Sequence, residues 1–131
     1  MTVTPLNPAG WPRPSGYSNG TAATGRMIFV AGQVGWHPVN GWESDDFVHQ
    51  VRQCLENTVA ILAEGGAEPR HIARMTWYVT DKQEYLANLK GVGQAYRDIL
   101  GKVFPAMALV QVAGLVEDRA KVEIETTAVV D

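Results

Sequence analysis

The 131 residues, 46% of them hydrophobic and 19% charged, fit one compact domain, expected to span residues 1–131 and to bury one core. A formal net charge of −3 with no Lys/Arg stripe argues against nucleic-acid binding, because phosphate neutralisation needs clustered cations. The lone Cys54 excludes an intrachain disulfide, and the sequence shows neither a secretory leader pattern nor an apolar run of membrane-spanning length. A soluble, cytoplasmic protein is expected.

Pro5 to Pro14 holds four prolines and one glycine, which suits an irregular arm better than a central strand. Met27 to Val30 is an unbroken apolar run ending at Ala31-Gly32-Gln33 and reads as a buried strand. Gly35 to Trp42 reads as a loop, with Pro38 and Asn40-Gly41 as turn residues. Ser44 to Glu64 is predicted to be helical. Ser44 is the expected cap, Asp45 and Asp46 favour the first turn, and Gly65-Gly66 ends it. Phe47, Val51, Leu55 and Val59 recur every four residues, with Thr58, Ile61 and Leu62 widening the stripe.

Ile72 to Thr80 alternates as a strand, with Met75, Trp77 and Val79 on one side and Arg74, Thr76 and Tyr78 on the other. Asp81-x-x-Glu84 resembles a capping box and opens a second helix carrying Tyr85, Leu89, Val92, Tyr96 and Leu100. Gly91 and Gly93 inside it each cost about 1 kcal/mol relative to alanine, which predicts a kink or close packing. Pro105 to Val112 and Lys121 to Val130 read as strands, the last with Val122, Ile124, Thr126 and Ala128 on one face opposite Glu123, Glu125 and Thr127. Strands, helix, strand, helix, strands make an α+β pattern, with two helices on one face of a mixed sheet.

The chain has no phosphate-cradling glycine loop, no histidine pair at metal-ligand spacing and no G-x-S-x-G elbow. No metal or cofactor is expected. His37, His49 and His71 are scattered and read as surface or loop residues, and Cys54 as a packed thiol.

A constellation is spread along the chain instead: Tyr17-Ser18, Ala31-Gly32-Gln33, Gln50 with Asn57, Phe104-Pro105-Ala106 and Val122-Glu123-Ile124-Glu125. In order and spacing it resembles the Rid (reactive intermediate deaminase, YjgF-type) family from Tyr17 to Val129. The resemblance implies a chorismate-mutase-like α+β fold, a homotrimer, and small-molecule pockets in the clefts between neighbouring subunits. It also implies hydrolysis of reactive enamines and imines, such as 2-aminoacrylate, to ketoacids and ammonia without a cofactor. In that family an arginine two residues after the proline clamps the substrate carboxylate, and a strand glutamate near the C-terminus orients the attacking water.

Residue by residue, Tyr17 matches the family's pocket tyrosine, Gly32 the glycine of its S-G-Q motif, and Glu125 its glutamate. Ala31 replaces the serine. Met107 stands where the arginine belongs, and Leu109 at a position often small, polar or cysteine. The family's helix asparagine falls near Gly93, in a stretch where an insertion of about one turn loosens the alignment. Each residue has a plainer reading. Tyr17 can pack at a subunit boundary, Gly32 can serve the backbone, Met107 can fill the core, and both glutamates can be solvated. If the small Ala106/Ala108/Val110 face packs on the helices, Met107 and Leu109 look into the cleft.

The functional expectation is a small-molecule imine or enamine hydrolase, with Glu125 as the catalytic carboxylate and Tyr17, Gly32, Gly93, Met107 and Leu109 around the ligand. A general base there needs a pKa raised by a dry cleft. Without the arginine a substrate carboxylate goes unpaired unless Arg26 or Arg74 substitutes, so the expected ligand is neutral or apolar. A non-catalytic trimeric binding module is the alternative. Ribonuclease activity ranks last, since no basic or stacking surface is evident.

Overall fold

The computed structural model describes residues 3–131. In chain order come β1 (Val3–Leu6), β2 (Gly20–Ala23), β3 (Arg26–Val34), α1 (Phe47–Glu64), a 3-10 turn (Pro69–His71), β4 (Ile72–Val79), α2 (Lys82–Ala87), α3 (Leu89–Leu100), β5 (Ala106–Gln111) and β6 (Val122–Val130). The larger sheet has the order β3-β6-β4-β5, antiparallel at β3/β6 and β6/β4 and parallel at β4/β5. This is a mixed α+β architecture. No described helix is long and apolar enough to cross a membrane.

Helices α1 and α3 pack together over one face of that sheet. The core between them holds Phe47, Val51, Leu55 and Leu62 of α1, Met75, Trp77 and Val79 of β4, Val92 and Tyr96 of α3, and Val122, Ile124 and Ala128 of β6. The alternation expected for β4 and β6 is the one observed. Ile61 is exposed and does not join the stripe.

Several boundaries differ from expectation for identifiable reasons. Helix α1 starts at Phe47 because Asp46, not Ser44, is its cap, accepting from the His49 N–H at 3.0 Å. Ser44 Oγ instead accepts from the Asp46 N–H. The second helical stretch is broken at Asn88 rather than at its glycines. Asn88 Nδ2 donates to the Glu84 carbonyl at 2.7 Å, competing for a backbone acceptor. Gly91 shows the expected close packing, since a Cβ there would lie 2.9 Å from Val48 Cγ2. The proline-rich arm is not wholly irregular, because its first residues pair as β1 with β2 in a short ribbon. His71 is buried, not superficial; its Nδ1 accepts from the Glu68 N–H at 2.8 Å and closes the 3-10 turn. Cys54 is a packed thiol, and burial pushes its pKa far above the usual range.

Candidate active site

The helices cover one face of the larger sheet and leave the other open. On that open face Arg74, Thr76 and Tyr78 of β4 lie beside Thr127, Glu125 and Glu123 of β6 in antiparallel register. Glu125 is opposite Thr76, and the Tyr78 hydroxyl reaches diagonally across to donate to Glu125 Oε1 at 2.6 Å. This contact raises the Tyr78 pKa; burial and the charges of Glu125 and Glu123 add to the effect, while Arg74 opposes it. Tyr78 is therefore a protonated donor at neutral pH, presenting one hydroxyl to one carboxylate.

On the other side of Glu125 the ladder is irregular. Val30 pairs with Thr126 and Gln33 with Ile124, so Ala31 and Gly32 together oppose Glu125 in a β-bulge. A Cβ on Gly32 would sit 2.5 Å from Glu123 Oε2. Glycine at this place lets the Glu123 carboxylate lie against the β3 backbone. Gly32, Glu123, Glu125 and Tyr78 thus form one polar group on the open face.

Tyr17 belongs to a second group. Ser18 is buried and tethers this segment to the β5 approach: its N–H donates to the Pro105 carbonyl at 3.0 Å and its Oγ–H to the Phe104 carbonyl at 2.6 Å. Ser18 also bridges to Ala106 in parallel fashion. Tyr17, Phe104 and Pro105 line a pocket of about 690 Å³ between the N-terminal arm and the residues leading into β5. Glu125 does not line it. Within one chain, the matched tyrosine and the matched glutamate occupy different places.

Three other candidates fall elsewhere. Met107 and Leu109 register beside Met75 and Trp77 and pack against the core, while Ala106, Ala108 and Val110 lie beside Arg74, Thr76 and Tyr78. The expectation that Met107 and Leu109 look into a cleft on the Glu125 side is therefore corrected. The larger side chains of this edge strand shield the flank of the core, and the small ones face outward. Gly93 is on α3, beyond the opposite face of the sheet, with Arg97 as its near neighbour. Arg26 is committed elsewhere, donating to the Gly65 carbonyl at the end of α1 at 2.7 Å. Arg74 is the cation that shares the open face with Glu125.

Sequence reasoning missed Tyr78 as a site residue, although its alternation already put it opposite the core. Gln50 and Asn57 have structural roles. Gln50 donates to the Ser44 and Arg119 carbonyls and accepts from the Lys121 N–H, and Asn57 donates to the Trp36 carbonyl. Trp36 and Trp42 pack on each other with centroids 5.7 Å apart, and the Arg119 guanidinium lies over Trp42. Among the described residues, no group of three or more His, Cys, Asp or Glu is arranged to hold a metal ion.

Comparison with known proteins fits this geometry. A family model described as Endoribonuclease L-PSP matches residues 12–130. The 2-iminobutanoate/2-iminopropanoate deaminases of Salmonella typhimurium and Escherichia coli K12 are each 34% identical to the chain over 105 residues, covering 80% of it and 80% of the relative. Among solved structures, YyfB of the Rid family from Yersinia pestis superposes with a TM-score of 0.87 at 29% identity, covering 99% of this chain and all of that one. Escherichia coli TdcF with bound serine superposes with a TM-score of 0.72 at 30% identity, covering 100% and 99% of the two chains. The chain belongs to the YjgF/Rid family, the one described as Endoribonuclease L-PSP.

Proposed function

We propose that this chain hydrolyses small imines or enamines to the carbonyl compound and ammonia, using Glu125 on the open sheet face. The observation that carries the reading is the Tyr78–Glu125 contact at 2.6 Å beside the Ala31–Gly32 bulge, in a family whose named relatives are iminoacid deaminases. Hydration of an imine needs a base to take a proton from water as its oxygen attacks carbon. That proton passes to the imine nitrogen to give a carbinolamine, whose hydroxyl proton then follows to the amino group as the C–N bond breaks, leaving the carbonyl compound and ammonia. A carboxylate held by a neutral phenol keeps one oxygen free for water and stays in one orientation.

The reaction requires a drier site than a bare sheet face, and assembly supplies it. Phe29 is 71% exposed, Met27 54% and Val110 43%, all on the face that the helices do not cover. An apolar surface of this kind is what subunit contacts bury, so a homotrimer is the assembly proposed, with Tyr17 of one copy approaching Glu125 of another. The position that the resemblance matches to the clamping arginine holds Met107, turned toward the core, so no charge from it reaches Glu125, which favours a neutral or apolar imine over one whose carboxylate must be gripped. The cytoplasm is the proposed compartment. Ribonuclease activity finds no support in the open face, where Arg74 alone accompanies two glutamates.

The test is ammonia release from imines generated in place by an amine or amino-acid oxidase, with and without a carboxylate, against a no-protein control. Accelerated release from a carboxylate-free imine is expected. Rates equal to the control for every imine would overturn the hydrolase reading in favour of a binding module.

A further inference from the structure

We propose that the apolar body of the substrate lies in a shallow groove across the open sheet face, running from Glu125 over Thr76 to Ala108, and that Ala108 limits the size of the carboxylate-free imine taken. This rests on the hydrolase reading and adds to it where the ligand extends. The first ground is register. Side chains of the open face stand in rows across the strands. Phe29, Thr127, Arg74 and Ala106 make one row, and Glu123, Tyr78 and Val110 another. Between these two lie Glu125, Thr76 and Ala108, with the Ala31–Gly32 bulge at the β3 end. Apart from Glu125 this middle row carries only small side chains, with Phe29 and Arg74 along one flank and Tyr78 and Val110 along the other.

The second ground is direction. The Tyr78 hydroxyl holds Glu125 Oε1 toward its own row at 2.6 Å, away from the floor that Thr76 makes. Toward β3 the middle row is closed: a Cβ on Gly32 would lie 2.5 Å from Glu123 Oε2, so that carboxylate already covers the glycine. Toward β5 nothing larger than Ala108 stands in the row, and β5 is the edge of the sheet. A ligand whose reacting carbon is at Glu125 therefore extends over Thr76 and Ala108.

The third ground is size and polarity. Neighbouring strands are about 4.8 Å apart, so Glu125 to Ala108 is two spacings, or about 10 Å. That is the reach of an aromatic ring on a two-carbon arm. Neither Thr76 nor Ala108 offers a charge, and the exposed apolar side chains of Phe29 and Val110 flank the groove. An uncharged, flat body suits such a floor, since polar groups buried over it without a partner would be costly once the assembly closes. Ala108 is exposed and packs into no core, so a larger side chain there would fill the groove without disturbing the fold beneath.

The test compares the imines of propylamine and 2-phenylethylamine, generated in place by an amine oxidase and followed as ammonia release over a no-protein control. The parent chain is expected to favour the phenylethyl imine by at least about tenfold in kcat/KM. Ala108→Leu should lose about tenfold on that imine and stay within about twofold on the propyl imine, with unchanged sedimentation. Equal acceleration of the two imines by the parent overturns the groove and leaves the hydrolase reading standing. So does an Ala108→Leu chain slowed alike on both. Dissociation of that variant also overturns it, since the groove would then hold a neighbouring copy and not the substrate. A second measurement does not need turnover: titration of the 15N-labelled full chain with the oximes of phenylacetaldehyde and propionaldehyde, which are stable C=N compounds. The phenyl oxime should shift the Thr76 and Ala108 amides and bind about tenfold more tightly than the other. That result without acceleration of any imine keeps the groove and sinks the hydrolase reading. No shift at these amides up to about 10 mM overturns the groove whatever the rates.

Discussion

Replacing Glu125 with glutamine isolates the carboxylate from the fold that holds it. Glutamine keeps the shape and an Oε1 acceptor for the Tyr78 hydroxyl, so the contact now at 2.6 Å survives as a neutral hydrogen bond. What disappears is basicity. Loss of a positioned general base costs about 10²- to 10⁴-fold, and that is the drop expected in kcat for imine hydrolysis. Position 125 is exposed and its side chain makes no core contact, so stability should move by no more than about 0.5 kcal/mol, or roughly 2 °C in Tm. The assay follows ammonia release from a neutral imine, with thermal unfolding and sedimentation run on the same preparations. Glu123→Gln is the informative companion: its carboxylate lies on the same face but against Gly32 rather than Tyr78. A Glu125→Gln protein that retains activity, with an intact fold and assembly, refutes the assignment. If Glu123→Gln is the inactive one, the base is two residues away.

Four other outcomes follow from the same geometry. Phe29→Asp should dissociate the assembly, read by sedimentation, because it puts a charge into the exposed apolar part of the open face; a parent chain that is already a monomer at micromolar concentration sinks the trimer. Gly35→Ala should destabilise by about 1–3 kcal/mol in urea unfolding, since its Cβ would lie 2.5 Å from Gln50 Cβ and 2.8 Å from its Cα, whereas Gly32→Ala meets only the mobile end of Glu123 and should cost under about 1 kcal/mol. Burial holds the Tyr96 hydroxyl, which donates to the Val103 carbonyl at 2.6 Å, above the usual tyrosine pKa of 10.0. The folded state thus keeps a proton that the unfolded state loses, so stability should be intact below pH about 10 and fall above it, with a shallower fall in Tyr96→Phe. Met107→Arg should lower Tm and add no turnover of carboxylate-bearing imines, because the side chain points toward Met75 and the core; a gain in rate at unchanged Tm would show that the guanidinium swings to the open side.

What the sequence made legible was periodicity. The stripe of α1 and the alternation of β4 and β6 could be read because burial repeats at 3.6 or 2 residues, and Glu125 could be put opposite the core from that alone. Alternation in β5 gave two faces but not which of them was inside. That depends on an edge strand's neighbour, and Met107 and Leu109 follow Met75 and Trp77 inward. The β1–β2 ribbon was hidden because its strands are four residues each, one of them containing Pro5. The break at Asn88 was hidden by the glycines nearby, whose backbone cost drew attention from a side chain that competes for a carbonyl. Tyr17 and Glu125 were matched by resemblance to one site, yet a single chain keeps them apart.

That separation follows from how each residue is held. Glu125 is carried by an interior strand, and its partners come from register rather than from a loop: Tyr78 from β4 on one side, the Ala31–Gly32 bulge of β3 on the other. The neighbouring Ile124 and Thr126 are buried on the helix face, so a slip of β6 by a single residue would drive the Glu125 carboxylate into the core and expose Ile124. The bulge between Val30 and Gln33 serves this register, absorbing the extra residue that would otherwise shift every pair beyond it. Core packing therefore fixes the carboxylate and its donor, while Tyr17 is carried by the arm and Phe104 by the approach to β5, both outside the register of the sheet.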